Sequence, residues 1–273
     1  MGTGSSAVKN FFLNFFIFFF SAVFIICISL FIMLGPLDSA RREYERQELA
    51  SQISLDLRVF DEEPSSEILT PESDPEPDQY IPFFQGLLYV NEDIRAWLQI
   101  PGTKVDYPIL QSGDNEFYLK HNYKKEKSAG GSLFFDCANA LDGTDRVLVA
   151  YGHNMRDGSM LASLKSYKKE EFYRENRYMY LDTDYAPEKY ELLSVFEQNV
   201  DPNLGDVFKY NKIDFDNDAE FISHMNELRA KSIYQTDAPQ VTADSRILVL
   251  QTCTNGTGIY NNDRFVVVGI KVN

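Results

Sequence analysis

The stretch Arg246-Ile-Leu-Val-Leu-Gln-Thr-Cys253 is an apolar run of strand length that ends on a cysteine. A Gly-containing loop follows, and the chain then enters a second apolar stretch, Arg264-Phe-Val-Val-Val-Gly-Ile270. Runs of β-branched residues that are bounded by Gly and Asn are typical of buried strands. Because the connection between the two runs is short, we expect a hairpin that brings Cys253 and Arg264 close together.

Upstream of this pair, the chain from residue 80 onward contains more segments of the same kind. Short stretches rich in β-branched and aromatic residues predict strands at residues 104–111, 132–137, 146–151, 178–182 and 189–196. Helical signals predict a turn that begins at Asn91, its cap, and extends through Trp97. They also predict a helical segment at residues 159–167 and a longer helix at about 216–230. This mixture predicts a mostly β domain with added helices (α+β), either a mostly antiparallel barrel or a sandwich.

The composition excludes several classes of function. The 273-residue chain has 26 Lys and Arg against 41 Asp and Glu, a formal net charge of -15, and a nucleic-acid binder needs a basic surface instead. Its three cysteines provide at most one disulfide, since Cys27 lies in an apolar run. Its three histidines are scattered and cannot form a His-rich metal site unaided, so we expect neither a metal nor a cofactor.

Residues 11–34 are nearly all apolar and mark the first domain boundary. At about 1.5 Å per residue, a helix of this length spans roughly 36 Å, enough for a hydrocarbon core of about 30 Å. A cleaved signal peptide is the alternative, but its apolar region has about 7–15 residues, and Asp38 spoils the nearest cleavage site. We predict an uncleaved cell-membrane anchor at residues 11–37, with residues 1–10 in the cytoplasm and the large domain outside.

The composition of residues 38–79, the segment after the anchor, predicts a spacer. Its first half carries many charges among spaced apolar residues, which is consistent with a helical stalk. Residues 61–79 contain four prolines and eight acidic residues with no Lys or Arg, so this part repels itself and cannot be ordered by burial. We interpret it as an extended linker, and an acidic binding tail is the alternative. Residues 80–273 form the predicted catalytic domain.

Three residues of this domain have the chemistry of a thiol enzyme. Cys253, at a strand end, has the rigid base and accessible tip that a nucleophile requires, although a free cysteine is most often a small buried apolar residue. His153 leaves the predicted strand at residues 146–151 beside a glycine, and it is either an acid and base or a structural imidazole. Arg264 either holds a developing oxyanion or pairs with Asp263.

The remaining Cys and His residues outside the apolar run have a simpler interpretation. Cys137 lies in a strand-like stretch and is interpreted as an inert thiol of the core. His121 follows a turn-like segment and His224 lies in the predicted long helix. Both are interpreted as hydrogen-bonded structural imidazoles.

Taken together, these features resemble the sortases, and among them class B. The sortase signature Thr-Leu-x-Thr-Cys corresponds to Val249-Leu-Gln-Thr-Cys253, with Val in place of the first Thr. The class B histidine motif stands intact in Tyr151-Gly-His-Asn-Met and, after Arg156, in Asp157-Gly-Ser-Met160. The segment Asp114-Asn-Glu-Phe-Tyr-Leu119 is similar to the family's Asp-Asn-x-x-Tyr-Leu segment. The resemblance covers residues 80–273.

The resemblance implies a fold and an activity. The fold is a closed β-barrel with N-terminal helices and a long helix before the cysteine strand. The activity is transpeptidation: cleavage of a C-terminal sorting signal of secreted proteins through a thioacyl-enzyme, and transfer of the new carboxyl end to an amine of a peptidoglycan precursor. By this resemblance Cys253 is the nucleophile, His153 the acid and base, and Arg264 the group that steadies the oxyanion.

The same resemblance implies contacts with the sorting peptide. Asn115 and Leu119 match positions that contact this peptide in the family, and Thr252 adjoins the nucleophile. Asn255 stands where some class B members have an acid. No cofactor is implied.

Three alternatives stay open on the sequence. An L,D-type cysteine transpeptidase also uses Cys, His and Arg, but its cysteine normally lies in a Ser-x-Gly-Cys-like turn that this chain lacks. A class B enzyme that polymerises pilin, with a pilin Lys as the amine, shares every motif quoted above. A tethered binding domain with an incidental Cys253 is the non-enzymatic alternative, which the presence of all three residues disfavours.

Overall fold

The structure, a computed structural model, describes residues 86–183, 185–201, 203, 207–253 and 262–272. The predicted anchor at residues 11–37 and the predicted spacer at residues 38–79 lie outside the described residues, as do residues 1–10 and 80–85. Within the described part of the chain, no helix has the length and apolar character that crossing a membrane requires.

Eight strands form one sheet within these ranges. In chain order they are β1 (Ile94–Gln99), β2 (Asp106–Leu110), β3 (Leu133–Phe135), β4 (Val147–Tyr151), β5 (Tyr178–Thr183), β6 (Pro187–Asn199), β7 (Ile247–Cys253) and β8 (Asp263–Lys271). The sheet closes into a barrel with the neighbour order β1-β2-β3-β4-β7-β8-β6-β5. The pairs β2–β3 and β4–β7 are parallel, and the other pairs are antiparallel. The closed barrel is confirmed, and the sandwich is wrong.

All seven predicted strands are present, but the prediction of a helical turn from Asn91 to Trp97 is wrong. The chain there enters β1, in which Ile94, Ala96 and Leu98 are buried on one face. Asn91 Oδ1 accepts a hydrogen bond from the N–H of Asp93 at 2.9 Å, which closes one turn, and its Nδ2 donates to the carbonyl oxygen of Tyr123 at 2.8 Å. Asn91 therefore begins a turn that leads into β1 and not into a helix.

Helices cover part of the barrel. They are α1 (Glu170–Glu175), α2 (Asp218–Ala230), two 3-10 helices at Phe117–Leu119 and Leu161–Lys168, and a helical segment at residues 86–90. The predicted long helix is confirmed as α2, which Asn217 caps by accepting a hydrogen bond from the N–H of Glu220 at 3.0 Å. The predicted helix at residues 159–167 is a 3-10 helix that begins later, since Met160 has a φ of 55° and cannot belong to it.

Strand β7 is buried on both faces. Its residues Leu248 and Leu250 belong to the apolar cluster inside the barrel, and Ile247 and Val249 belong to a second cluster with residues of α2. Successive residues of a strand face opposite sides, so a strand covered on both sides is apolar throughout instead of alternating. This double burial holds β7 in place and therefore fixes the backbone at its end, Cys253.

Candidate active site

The parallel pairing of β4 with β7 determines where the chain leaves both strands. Tyr151 pairs with Gln251, and the N–H of Gly152 donates to the carbonyl oxygen of Gln251 at 3.2 Å. Parallel neighbours run in the same direction, so they end at the same side of a sheet. His153 and Cys253, each two residues beyond this pair, therefore follow neighbouring strands at one end of the barrel.

Strand β8 adds the third residue to this end. In the antiparallel β7–β8 pair, Cys253 is the register partner of Arg264. Residues that face each other across an antiparallel pair have Cα atoms about 4.5–5.5 Å apart. The predicted pairing of the two strands is confirmed, and residues 254–261 of their connection lie outside the described residues. The backbones of the three candidate catalytic residues thus lie at the same end of three neighbouring strands, β4, β7 and β8.

A backbone carbonyl holds the imidazole of His153. Its Nε2 lies 2.8 Å from the carbonyl oxygen of Leu119, and the residue is partly buried. A carbonyl oxygen can only accept, so Nε2 must carry a proton in this hydrogen bond. In the neutral ring the lone pair then lies on Nδ1, which is the atom available to take up a further proton.

The short 3-10 helix that carries Leu119 is itself anchored. Asp114 Oδ1 accepts hydrogen bonds from the N–H groups of Glu116 and Phe117 at 2.8 Å each, and these bonds hold the pKa of Asp114 below its usual value. The buried Tyr118 donates its hydroxyl proton to Asp93 at 2.6 Å. This support fixes the carbonyl that orients His153.

Gly152 allows the chain to approach the barrel core just before His153. A Cβ atom at this position would overlap the side chains of Leu133 and Leu161. The N–H of Leu161 also donates to the carbonyl oxygen of His153 at 3.1 Å. A side chain here would force the buried Leu133 and Leu161 to move, so glycine suits this position for steric reasons.

Arg264 lies at the start of β8 and is partly buried. Its Nη1 donates to the backbone carbonyl oxygen of Asp263 at 3.2 Å. The carboxylate of Asp263 accepts a hydrogen bond from Asn199 Nδ2 at 2.6 Å. Arg264 is the register partner of Cys253, so it adds a permanent positive charge at this end of the barrel.

Thr252 has an unusual environment for a polar side chain. It is 1% exposed, and its Oγ1 is the one buried side-chain polar atom in the described residues that lacks a hydrogen-bond partner. A buried hydroxyl without a partner destabilises the fold by about 1–3 kcal/mol. Such a cost directly before Cys253 is typical of a functional site.

Asn115 lies four residues before Leu119, the residue whose carbonyl oxygen contacts His153. Asn115 Oδ1 accepts a hydrogen bond from the N–H of Cys137 at 2.8 Å, just beyond the end of β3.

The interpretation of Cys137 as a core thiol is wrong, because this residue is exposed. It follows the buried run Leu133–Phe135, and the strand ends two residues earlier than the predicted strand at residues 132–137.

A second layer of polar residues, which the sequence does not predict, lies beside the strand ends. The buried Tyr210 donates its hydroxyl proton to Gln251 Oε1 at 2.7 Å, and Tyr151 donates to Asp136 Oδ2 at 2.6 Å. Burial, and then the neighbouring Asp136, raises the pKa of Tyr151 well above its ordinary value. Tyr151 lies within the quoted histidine motif, but no sequence signal distinguishes Tyr210 from the other loop tyrosines.

The other two histidines have structural contacts. His121 stacks on Phe117 with ring centroids 4.1 Å apart, and its Nδ1 lies 2.8 Å from the carbonyl oxygen of Phe117. His224 Nε2 donates to the carbonyl oxygen of Lys209 at 3.0 Å, and burial lowers the pKa of this imidazole below its ordinary value. Both contacts agree with the interpretation of these residues as structural.

Known proteins are similar to this chain in sequence. Residues 98–272 match the family model described as Sortase domain. Sortase B of Listeria monocytogenes serovar 1/2a is 34% identical over 185 residues, which cover 68% of this chain and 72% of that protein.

Solved structures extend the similarity to the fold. The Staphylococcus aureus sortase B–substrate complex superposes with a TM-score of 0.71 at 25% identity, covering 87% of this chain and 99% of that one. A structure of sortase B complexed with triglycine superposes with a TM-score of 0.71 at 25% identity, covering 86% and 99%. The chain therefore belongs to the sortase family, as a sortase B-type cysteine transpeptidase.

Proposed function

We propose that this transpeptidase cleaves a C-terminal sorting signal of secreted proteins and joins the new carboxyl end to an amine of a cell-wall precursor. The observation that carries the proposal is the position of the three residues at one end of the barrel: His153 just after β4, Cys253 at the end of β7 and Arg264 near the start of β8. The similar Staphylococcus aureus sortase B holds a substrate, and another sortase B structure holds triglycine. A peptide and a small peptide amine are the two reactants that such a transfer needs.

The first half of the reaction breaks the peptide. The thiolate of Cys253 attacks the carbonyl carbon of the scissile bond, and the carbonyl oxygen becomes an oxyanion. Arg264 stabilises this charge with its guanidinium group. His153 donates a proton to the departing amine, the C–N bond breaks, and the remaining acyl group stays on sulfur as a thioester.

The second half transfers the acyl group. The acceptor amine attacks the thioester carbonyl, and His153 removes a proton from that amine. The C–S bond then breaks, the thiolate leaves and a new amide bond forms. Because Nε2 donates to Leu119, Nδ1 is the atom through which His153 exchanges the proton in both halves.

The remaining contacts suit the recognition of an extended peptide. Asn115 Oδ1 is occupied by the N–H of Cys137, so its Nδ2 is the group that donates to the peptide backbone. The side chain of Leu119 is partly exposed beside His153 and offers an apolar contact. The buried hydroxyl of Thr252, which has no partner in the described residues, adjoins Cys253 beneath this surface.

The location of the enzyme belongs to the same proposal. Residues 11–37 anchor the chain in the cell membrane with residues 1–10 inside and the catalytic domain outside. The predicted stalk and acidic, proline-rich linker of residues 38–79 serve as a spacer between the anchor and the catalytic domain. A spacer of this kind lets the domain reach substrates and wall precursors near the membrane surface.

A mass-spectrometric experiment tests the proposal. The full-length protein in detergent micelles is incubated with a library of sorting-signal peptides, and intact-mass measurement detects the thioacyl adduct. Added triglycine should discharge the adduct and give a ligated peptide. Cys253→Ala should give no adduct, and Cys137→Ala serves as the matched control. Absence of an adduct on the wild-type protein, or transfer only to a lysine side chain of a folded pilin-like domain, would contradict wall anchoring.

A further inference from the structure

A groove of about 590 Å³ lies beside the C-terminal end of α2, and the proposed reaction does not use it. We name it the α2 groove, and it extends from Asn226 on the helix to Gln240 in the loop that follows. Its volume falls within the range of small-molecule binding sites, about 300–1,000 Å³.

The walls of the α2 groove are fixed by hydrogen bonds to the backbone. Arg229 donates to the carbonyl oxygens of Pro239 at 3.0 Å and Ala238 at 2.6 Å, which ties the loop to the helix. Thr236 Oγ1 donates to the carbonyl oxygen of Leu193 on β6 at 2.9 Å. A groove whose walls are already ordered binds a ligand without a large entropic cost.

The hydroxyl groups along the floor are also occupied. Ser232 Oγ accepts a hydrogen bond from the N–H of Val195 at 3.1 Å. The hydroxyl of Tyr234 donates to the carbonyl oxygen of Tyr167 at 2.9 Å. These side chains hold the groove to the barrel and are not the groups that face a ligand.

Three carboxamides remain for recognition. Asn226, Gln235 and Gln240 are exposed, and none of their side chains forms a hydrogen bond with another residue in the described part of the chain. Each carboxamide offers two N–H donors and one carbonyl acceptor. No acidic side chain lines the groove, and Arg229 is its one charged residue. The complementary ligand is therefore neutral, polar and rich in paired donors and acceptors.

This chemistry favours a sugar over a peptide. Extended peptides are bound by adding a strand to an open sheet edge or by apolar pockets for side chains. The closed barrel has no open edge among the described strands, and the groove-facing carboxamides form no apolar pocket. The acetamido and hydroxyl groups of an N-acetylated sugar supply the required pairs of donors and acceptors. We infer that the α2 groove binds an N-acetylated glycan segment carried by the acceptor, an inference that rests on the proposed function.

The position of the groove agrees with such an acceptor. Arg264 pairs with Gln198 on β6, and the groove is tied to Leu193 and Val195 of the same strand. These two residues lie three to five positions from Gln198, a distance of about 10–17 Å along the strand. Cys253 lies two strands across from β6, an offset of about 10 Å, so the direct distance is about 14–20 Å. An extended peptide of six residues spans about 20–22 Å and therefore joins a glycan in the groove to an amine at Cys253.

A binding experiment tests the groove directly. The full-length protein, in a detergent without a sugar headgroup, is titrated with N,N′,N″-triacetylchitotriose and with cellotriose, which lacks the acetamido groups. Saturation-transfer NMR should show binding of the acetylated sugar alone. The triple variant Asn226→Ala, Gln235→Ala, Gln240→Ala should bind it about tenfold more weakly or worse, since each lost hydrogen bond costs about two- to tenfold. Gln99→Ala, an exposed carboxamide on β1, is the control and should bind normally.

A transfer experiment separates this inference from the proposed function. The acceptors are triglycine and a muropeptide with the same terminal amine. The triple variant should raise the KM for the muropeptide about tenfold and leave kcat and the KM for triglycine unchanged. Equal binding of both sugars, or equal KM values in wild type and variant, would overturn the groove assignment. Intact binding of the acetylated sugar without transfer to either acceptor would overturn the proposed function and leave the groove assignment standing.

Discussion

The two ends of the barrel differ in how completely their polar groups are paired. The far end, where β4, β6 and β7 begin, is defined by Asp145, Glu188, Tyr190, Arg246 and Lys271. Glu188 accepts hydrogen bonds from the hydroxyl of Tyr190 and the ammonium of Lys271, each at 2.6 Å. Asp145 accepts from three neighbouring N–H donors, and Arg246 donates to a backbone carbonyl. Every one of these five groups has a protein partner.

The reactive end is defined by Leu119, His153, Thr252, Cys253 and Arg264. Here a backbone carbonyl orients the imidazole of His153, and the buried hydroxyl of Thr252 has no partner in the described residues. Complete pairing stabilises a barrel, whereas a site that must bind and react keeps polar groups available. We therefore expect the far end to contribute mainly to the stability of the protein and the reactive end to its activity.

The largest expected effect is the loss of turnover in Cys253→Ala. The thiol is the only group that forms the proposed thioester, so peptide cleavage should fall to the background rate while the melting temperature stays close to that of the wild type. Cys137→Ala, which removes an exposed thiol, should keep most of the activity. An equally inactive Cys137 variant with an intact fold would show that the reactive thiol is not confined to the reactive end.

The next effect concerns Arg264. Removing one group that stabilises an oxyanion typically lowers the rate by about 10²–10³-fold, so Arg264→Ala should lose this much in kcat/KM. Arg264→Lys should recover little, because the ammonium lacks the planar fork of a guanidinium. Arg246→Ala, at the far end, is the matched control and should keep normal kinetics. Near-normal rates in Arg264→Ala would remove this residue from the reaction.

The far end should respond in stability alone. Glu188→Gln removes the ion pair with Lys271 and weakens the contact with Tyr190, so we expect a loss of about 1–3 kcal/mol in the free energy of unfolding. Turnover at 25 °C should not change. Urea denaturation followed by tryptophan fluorescence gives the first quantity, and Glu227→Gln on the exposed face of α2 is the control. A fall in kcat without loss of stability would contradict the division between the two ends.

Thr252 should show the opposite pattern to Glu188. Thr252→Val keeps the shape and removes an unpaired buried hydroxyl, so the free energy of unfolding should rise by about 1 kcal/mol while turnover falls. Thr252→Ser, which keeps the hydroxyl, should retain activity. A Val variant that is both less stable and fully active would mean that the hydroxyl has a structural partner and no catalytic role.

The smallest effect is a pH dependence of stability from His224. Burial lowers the pKa of this imidazole in the folded protein, so the unfolded chain binds a proton more readily. Stability should therefore decrease as the pH falls below about 6.5, the ordinary pKa of histidine, until the lower folded pKa is passed. His224→Gln should flatten the melting temperature between pH 7.5 and 5. Parallel curves for wild type and variant would contradict this expectation.

Most strands were predictable because their local composition is distinctive. Which strands pair with each other in the sheet was not predictable in the same way. The apolar run at residues 246–253 predicts β7 by itself, and the next run predicts its antiparallel partner β8. The parallel contact between β4 and β7 joins Tyr151 to Gln251, which are 100 residues apart, and no local pattern encodes this pairing. Strand β1 was not predicted because Ala96, Trp97 and Leu98 are three buried residues in a row. The alternation of apolar and polar residues that is typical of a half-exposed strand is therefore absent.

The site was predictable where a side chain carries the chemistry. Cys253, His153 and Arg264 could be inferred from residue type and from the family motifs. The partner of His153 is a backbone carbonyl of Leu119, and a backbone atom has no sequence signature. Cys137 was placed in the core because it follows an apolar run, but a pattern of residues does not show where a strand ends within one or two positions.

The position of β7 and β8 in the barrel also has a consequence for biosynthesis. These are the last two strands in chain order, and they lie between β4 and β6. Translation supplies residues in sequence, so six strands exist before the hairpin that joins their edges is made. Pairing across 100 residues is slow compared with local contacts. The nucleophile therefore arrives with the same hairpin that closes the barrel, and a partly synthesised chain has no assembled thiol site with which to cut other polypeptides.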